Sequence, residues 1–276
     1  MTVENAIQKL FDKHGRRISK GLSASVCDAN RKFRLDQPKL DEEVDFANRI
    51  LWLHGCLGVD TGITAEQFQK ETERLLDLIR GNSQIVNIPS GVYLPIVLPK
   101  LVTDDLGTTF EQYLGGADNS YAKTFGDRKF HNYCKGGLEG NVSVIDGSRH
   151  DQLIERMKQG PVIGLYFPNP LQGFSVQAQR GQMATLPPAC VGREGFILSG
   201  LDTVIAMIMY PDVMARDRNT PGMDLAAFSW QSPDQLFNFE DNDHELGFRD
   251  DGLHCRASGS YSGGLLFLPP ESGHSE

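Results

Sequence analysis

The chain has 276 residues, a formal net charge of -9, and 39% hydrophobic against 23% charged side chains. These proportions lie near the average for folded soluble proteins, which excludes wholesale disorder, coiled coil and collagen-like architectures, and the length allows one large domain or two smaller ones. The negative charge argues against a general nucleic-acid binder, since counterion release needs a broad basic surface, and the longest apolar runs, TVIAMIMYP and PVIGLYFP, fall short of the roughly 20 residues that a bilayer crossing needs.

The cysteines at 27, 56, 134, 190 and 255 form no C-x-x-C pair, so neither a disulfide framework nor a zinc finger follows from their spacing. The opening MTVENAIQKLFDKHG carries acidic and amide residues where a secretory signal needs a basic flank and an unbroken apolar run. Reduced thiols, a soluble chain and a cytoplasmic address are the expectation.

In chain order, TVENAIQKLFDKHG predicts a helix with Val3, Ile7, Leu10 and Phe11 at helical spacing and Gly15 as its stop. A second helix is predicted from about Pro38 through KLDEEVDFANRILWLHG, with Leu40, Val44, Ala47, Ile50, Leu51 and His54 along one side. A third, TAEQFQKETERLLDLIRG, starts with Thr64 and Gln67 as a reciprocal cap and closes at Gly81. Residues 1–80 thus form a helical N-terminal unit, with a basic connector over 13–37 that lacks clear periodicity.

Beyond Gly81, SQIVNI and GVYLPIVLP read as strands, the prolines pushing the second toward an edge. TTFEQYL carries a capping box at Thr108 and Glu111, and a separate helix is predicted from Ser120 to Cys134. SRHDQLIERMKQG, capped by Ser148 and Asp151 and stopped by Gly160, feeds into PVIGLYFP as a helix leading into a buried strand. Phe196 to Leu198 reads as a strand, followed by a helix capped by Ser199 and Asp202 and interrupted by Pro211; a buried strand over TVIAMIMY is the rival reading. DLAAFSW, LHCRAS and GGLLFLP read as short strands, and 269–276 as a frayed tail. The expected fold class is α+β with α/β-like units: the N-terminal helical unit packed on a mixed β-sheet domain, 81–276, with flanking helices.

Several chemistries are excluded by motif. There is no phosphate-binding P-loop and no G-x-G-x-x-G after a strand; GSYSG centres on Tyr261 instead of a serine, and HELGF lacks the second histidine of a zinc protease. Ser120 and Lys123 satisfy S-x-x-K, but K-T-G and S-D-N are missing, so Ser120 reads as a cap. In EDNDHELGFRDDG a calcium-loop register from Asp241 fails at Leu246 and Gly252, and turn chemistry explains Asp217, Asn219 and Asp224 around a Pro-Gly pair.

The densest chemistry lies in RKFHNYCKGGLEGN, from Arg128 to Asn141. If 120–134 is one helix, Asp127, His131 and Cys134 share a face, an arrangement for a thiol activated by His131 and oriented by Asp127, or for a metal site with Asp146 or His150 as fourth ligand. Arg128, Lys129 and Lys135 add positive charge, and Gly136 and Gly137 allow a backbone concavity that presents amides to an anion. The competing reading is an ordinary helix end, with basic residues complementing the dipole; that dipole would raise the thiol pKa, against activation. His54 and Cys56 read as a buried histidine and an inert thiol, and His254 and Cys255 as neighbours on opposite faces of a strand.

Charge is also uneven: Lys13 to Arg34 holds seven Lys or Arg against Asp28, and Asp234 to Asp251 seven acids against Arg249. These segments either meet in the fold or mark a partner surface. Two functions follow as expectations: an enzyme or ligand-binding protein acting on a small anionic metabolite through 127–137, or an interaction protein docking an acidic partner or nucleic acid through 13–34, with Phe33 interleaved for stacking. The sequence names no cofactor and no oligomeric state.

Overall fold

The computed structural model describes residues 9–19, 32–188, 195–242, 244–253 and 256–268. The described part of the first expected helix is a turn in which Phe11 bridges Arg17; the rest of that expectation, and those for His254, Cys255 and the tail, lie outside the described residues. Asp12 explains the difference, because its carboxylate accepts the amides of His14 and Arg16 and so closes a turn in competition with a helix.

Helix α1 (Glu43–Leu57) begins where Asp45 accepts the amides of Asp41 and Glu42, five residues past Pro38. It buries Phe46, Ile50, Leu53, Cys56 and Leu57, while Val44 and Leu51 are 54% and 67% exposed, so the inward face is rotated from the expected one. Helix α2 (Ala65–Gly81) has its reciprocal cap as expected, with the Gln67 amide on Thr64 Oγ1 at 3.2 Å and the Thr64 amide on Gln67 Oε1 at 2.9 Å. Phe46 and Phe68 meet edge to face at 5.3 Å, joining the two helices.

SQIVNI is not a strand. Asn82 accepts the Gln84 amide, and turns with a 3-10 segment at Ile88–Ser90 bury Ile85 and Ile88, three apart, where a strand would alternate by two. Strand β1 (Leu94–Leu98) follows at a sheet edge, where Pro95 is tolerated. Helix α3 (Leu106–Phe125) is a single element capped by Asp105, whose Oδ1 accepts the Thr108 amide; no helix spans 120–134. Ser120 is therefore not a cap but lies mid-helix, accepting from Trp52 Nε1 and donating to the Ile208 carbonyl, which ties three helices together.

The chain continues through β2 (Lys129–Asn132), β3 (Val142–Val144), α4 (His150–Gln159), β4 (Val162–Phe167), α5 (Val176–Gln182), β5 (Gly195–Leu198), α6 (Leu201–Met209) and α7 (Pro211–Met214). Short strands β6 (Gly222–Asp224) and β7 (Phe228–Trp230) precede a hairpin of β8 (Gln235–Asp241) and β9 (Glu245–Gly252), and β10 (Tyr261–Gly263) and β11 (Leu265–Leu268) close the described chain. Helix α4 starts after Arg149 in the left-handed region, without the expected Ser148 and Asp151 box. Pro211 ends the wholly buried α6, which settles TVIAMIMY as helix.

Among the described residues the fold is α+β, with seven helices and mixed sheets. One sheet is antiparallel in the order β1-β4-β11-β5; the other, β10-β6-β8-β9-β2, is parallel at both edges and antiparallel within; β3 pairs with β7. Gly264 carries the chain from one sheet to the other, and a Cβ there would sit 2.4 Å from Tyr166 Oη. Helices α1 and α2 pack on α3, α6 and β4, so buried side chains run without a break from Phe11 to Leu268. Among the described residues no helix is long and apolar enough to cross a membrane.

At the centre, His150 is fully buried; Nε2 accepts the Leu201 amide at 3.3 Å and Nδ1 lies 3.2 Å from the Leu198 carbonyl, which fixes the proton on Nδ1. Asp202 is 3.9 Å away, yet this is no ion pair: burial holds the imidazole down to about 4 and pushes the carboxyl up to about 7, so both favour their neutral forms. The unfolded imidazole binds its proton near pH 6.5, so between 6.5 and about 4 the unfolded state holds more protons and stability falls as pH drops. Asp202 acts in the opposite sense over 7 to 3.8, because there the folded state keeps the proton. The stability advantage of wild type over His150→Gln is expected to shrink by about 2 kcal/mol from pH 7 to pH 5, measured by urea unfolding at both values. A difference that did not change with pH would refute a neutral buried imidazole.

Candidate anion-binding cleft

Most of the residues singled out by sequence fall on β2 and the turn after it. Lys129 and His131, two apart on the strand, share its solvent face, while in the turn Tyr133 is exposed and Cys134 is buried. Asp127 is exposed before the strand, and among the described residues no hydrogen bond or ion pair links Asp127, His131 and Cys134. His131 instead lies 3.3 Å from Glu245. The Cys134 thiol is pushed up to about 12, by burial first and then by the charges of Asp250 and Glu111, which is the reverse of activation. His150, offered as a fourth ligand, has both ring nitrogens engaged elsewhere.

The anion cradle is likewise occupied from within. Arg128 grips Asp241 with both oxygens at 2.7 Å and donates to the Arg216 carbonyl at 2.7 Å. Gly136, at φ 75°, does turn its amide toward a carboxylate, but that of Glu111 on α3, at 2.7 Å; the Gly137 amide closes on the Cys134 carbonyl. Lys129 and Lys135 remain as exposed charges beside a closed turn. Within the acidic segment Asp241 pairs with Arg128, and Glu240 and Glu245 pair with Arg249.

That connector lines a cleft of about 750 Å³. One wall is the turn closed by Asp12, pinned by Phe11 against Phe196 at 5.7 Å and by Arg17, whose guanidinium reaches the Leu10 and Ile18 carbonyls and Thr185. Gly15, at φ 75°, fits where a Cβ would lie 2.5 Å from the Ile88 carbonyl. This anchoring leaves Lys13, His14 and Arg16 at the tip. The second wall, Phe33 to Gln37, is fixed by the Arg34 amide on the Asn219 carbonyl and by Gln37, which exchanges hydrogen bonds with the Tyr93 backbone at 3.0 and 2.9 Å. Gly91 and Asn169 lie between the walls.

Lys13, His14, Arg16, Arg34 and Asn169 all line this cleft, and their side chains make no hydrogen bond or ion pair with the described residues. Arg16 Nε is buried and has no hydrogen-bond partner among the described residues. Asp36, the carboxylate on the wall, is held by Arg216 and does not neutralise them. Two guanidiniums offer planar forks and Lys13 a mobile point charge, a donor set matched to phosphate or carboxylate oxygens. The unbalanced run of cations was visible in the sequence; the cleft was not, since its walls come from segments about 20, 75 and 155 residues apart. Among the described residues no three His, Cys, Asp or Glu side chains are placed to hold a metal ion. Comparison of the chain with protein-family models, curated proteins and solved structures found no match.

Proposed function

We propose that this protein binds a small anionic molecule, carrying phosphate or carboxylate groups, in the cleft between the 10–18 turn and the 33–37 segment. One observation carries the reading: four basic side chains without partners among the described residues converge on one concavity of a chain whose net charge is -9. Unpaired cations held together repel one another, and an anion relieves that repulsion while using donors that the fold leaves open. The same residues made the connector a candidate for docking an acidic partner, but a concave, anchored wall favours a small ligand over a flat macromolecular surface.

Calorimetric titration with inorganic phosphate, pyrophosphate and citrate tests the proposal. Saturable binding is expected, weakening with added salt and falling about tenfold on Lys13→Ala or Arg34→Ala. Both side chains are exposed, so the unfolding midpoint of the unliganded variants should match wild type. Equal binding by wild type and Arg34→Ala would place the anion elsewhere, and binding of heparin but of none of the small probes would favour the docking role.

A further inference from the structure

We propose that a second cavity, between α5 and one face of the five-stranded sheet, binds a small amino acid-like molecule, its ammonium held by Asp224 and Asp251 and its carboxylate by Arg256. The cavity measures about 260 Å³, below the roughly 300 Å³ at which drug-sized sites begin, so its occupant is small.

Strand register builds the site. Asp224 on β6 pairs with Asn238 on β8, and Asp251 on β9 pairs with Leu236, two residues from Asn238, so all four share one face of the sheet. Phe174 and Tyr261 add aromatic wall. Asp224 is only 6% exposed, and its Oδ2 accepts from Gln179 Nε2 at 2.6 Å. The other Gln179 hydrogen is committed to the Phe174 carbonyl, so Gln179 has nothing left for Oδ1 of Asp224, a residue that lines the cavity and whose Oδ1 has no hydrogen bond among the described residues.

Acceptors without a donor gather around Asp224. Among the described residues Asn238 and Gln179 each bury an amide oxygen without a partner, and Asp251, which receives its own neighbour's amide at 2.7 Å, adds further carboxylate character. An ammonium supplies three donors and a positive charge, which is what this set lacks. Tyr261 and Phe174 line the cavity, and aromatic rings attract cations. Arg256 also lines the cavity and makes no hydrogen bond or ion pair with the described residues; it would repel a simple amine, but it complements one that also carries a carboxylate.

Charge linkage supports the reading. Burial raises Asp224 to about 7, with the charge of Asp251 adding to the effect, so near neutrality the site carries a proton that an ammonium would displace. The groups facing Asp224 are Gln179 on α5, Asp251 on β9, Tyr261 on β10 with Glu240 of β8 beside it, and Arg256.

The test uses the full chain and three probes: 4-aminobutyrate, n-butylamine and butyrate. Calorimetry is expected to show 4-aminobutyrate binding more than tenfold tighter than either half-ligand, with proton release at pH 6.5 seen as a dependence of heat on buffer ionisation. Asp251→Asn, at a partly exposed position, should weaken 4-aminobutyrate at least tenfold, and Asp224→Asn should do so with loss of the proton release. Arg256→Ala should weaken 4-aminobutyrate and tighten n-butylamine, which loses a repelling charge. None of these variants should alter phosphate binding in the basic cleft, which separates the two sites. Failure of 4-aminobutyrate to bind, tighter binding of butyrate, or undiminished binding by Asp251→Asn would each overturn the proposal.

Discussion

Arg128→Ala is expected to destabilise the protein by about 3–5 kcal/mol, the cost of leaving a buried charge without its partner. The Arg128 and Asp241 side chains are 14% and 2% exposed, and the guanidinium meets both carboxylate oxygens at 2.7 Å. It also donates to the Arg216 carbonyl and lies 4.4 Å from the Phe125 ring centroid and 5.2 Å from that of Tyr121. Alanine removes the charge, the donors and the stacking together, while Asp241 stays in place with the Tyr121 hydroxyl at 3.1 Å. Urea unfolding reads the loss directly, and Arg128→Lys should recover part of it, since an ammonium restores the charge but not the fork. Lys129→Ala and Lys135→Ala, on exposed neighbours, should stay within about 0.5 kcal/mol of wild type. A stable Arg128→Ala protein with weakened anion binding would restore the segment to the ligand-site role that its composition suggests.

That contrast shows where the sequence was legible. The reciprocal Thr64 and Gln67 cap is a contact between near neighbours, so the start of α2 can be read locally and the structure has it in place. The inward face of α1 cannot, because the segment holds two apolar stripes, and it is the packing on α2, α3 and α6 that buries Phe46, Ile50 and Leu53 and leaves Val44 and Leu51 in solvent. Between Phe125 and Asn132 one local signal existed, Gly126, which ends the helix; the strand Lys129–Asn132 holds a single apolar residue, Phe130, and shows no alternation in sequence. That signal lost to an attractive spacing of carboxylate, imidazole and thiol that only a helix would align. The β8 and β9 hairpin was hidden for another reason. Its seven acids give the segment a charged composition, while Leu236, Phe237, Phe239, Leu246 and Phe248 place it in the core. Neither the basic cleft nor the carboxylate cavity is local, since each joins segments that only the tertiary fold brings together.

Gly107→Ala is expected to cost about 3 kcal/mol, although the same change inside a helix normally gains up to about 1 kcal/mol by stiffening the unfolded chain. The sign reverses because α3 approaches the 134–140 turn backbone to backbone: a Cβ on Gly107 would lie 1.9 Å from the Leu138 oxygen and 2.6 Å from the Glu139 nitrogen. No side chain there can rotate aside, so the turn itself must lift. Lifting it withdraws Leu138, which is fully buried, and strains two bonds that hold the turn to α3, Gly136 to Glu111 at 2.7 Å and Gly140 to Asp105 at 3.0 Å. Gly115, on the same helix, has nothing within 4 Å of an added Cβ and is exposed, so Gly115→Ala should stabilise by about 0.5–1 kcal/mol. Opposite shifts of the two variants in parallel urea titrations would locate the effect in the helix–turn contact. Equal shifts would mean that the turn does not lie against α3, and the closed anion cradle inferred from Glu111 and Gly136 would fail with it.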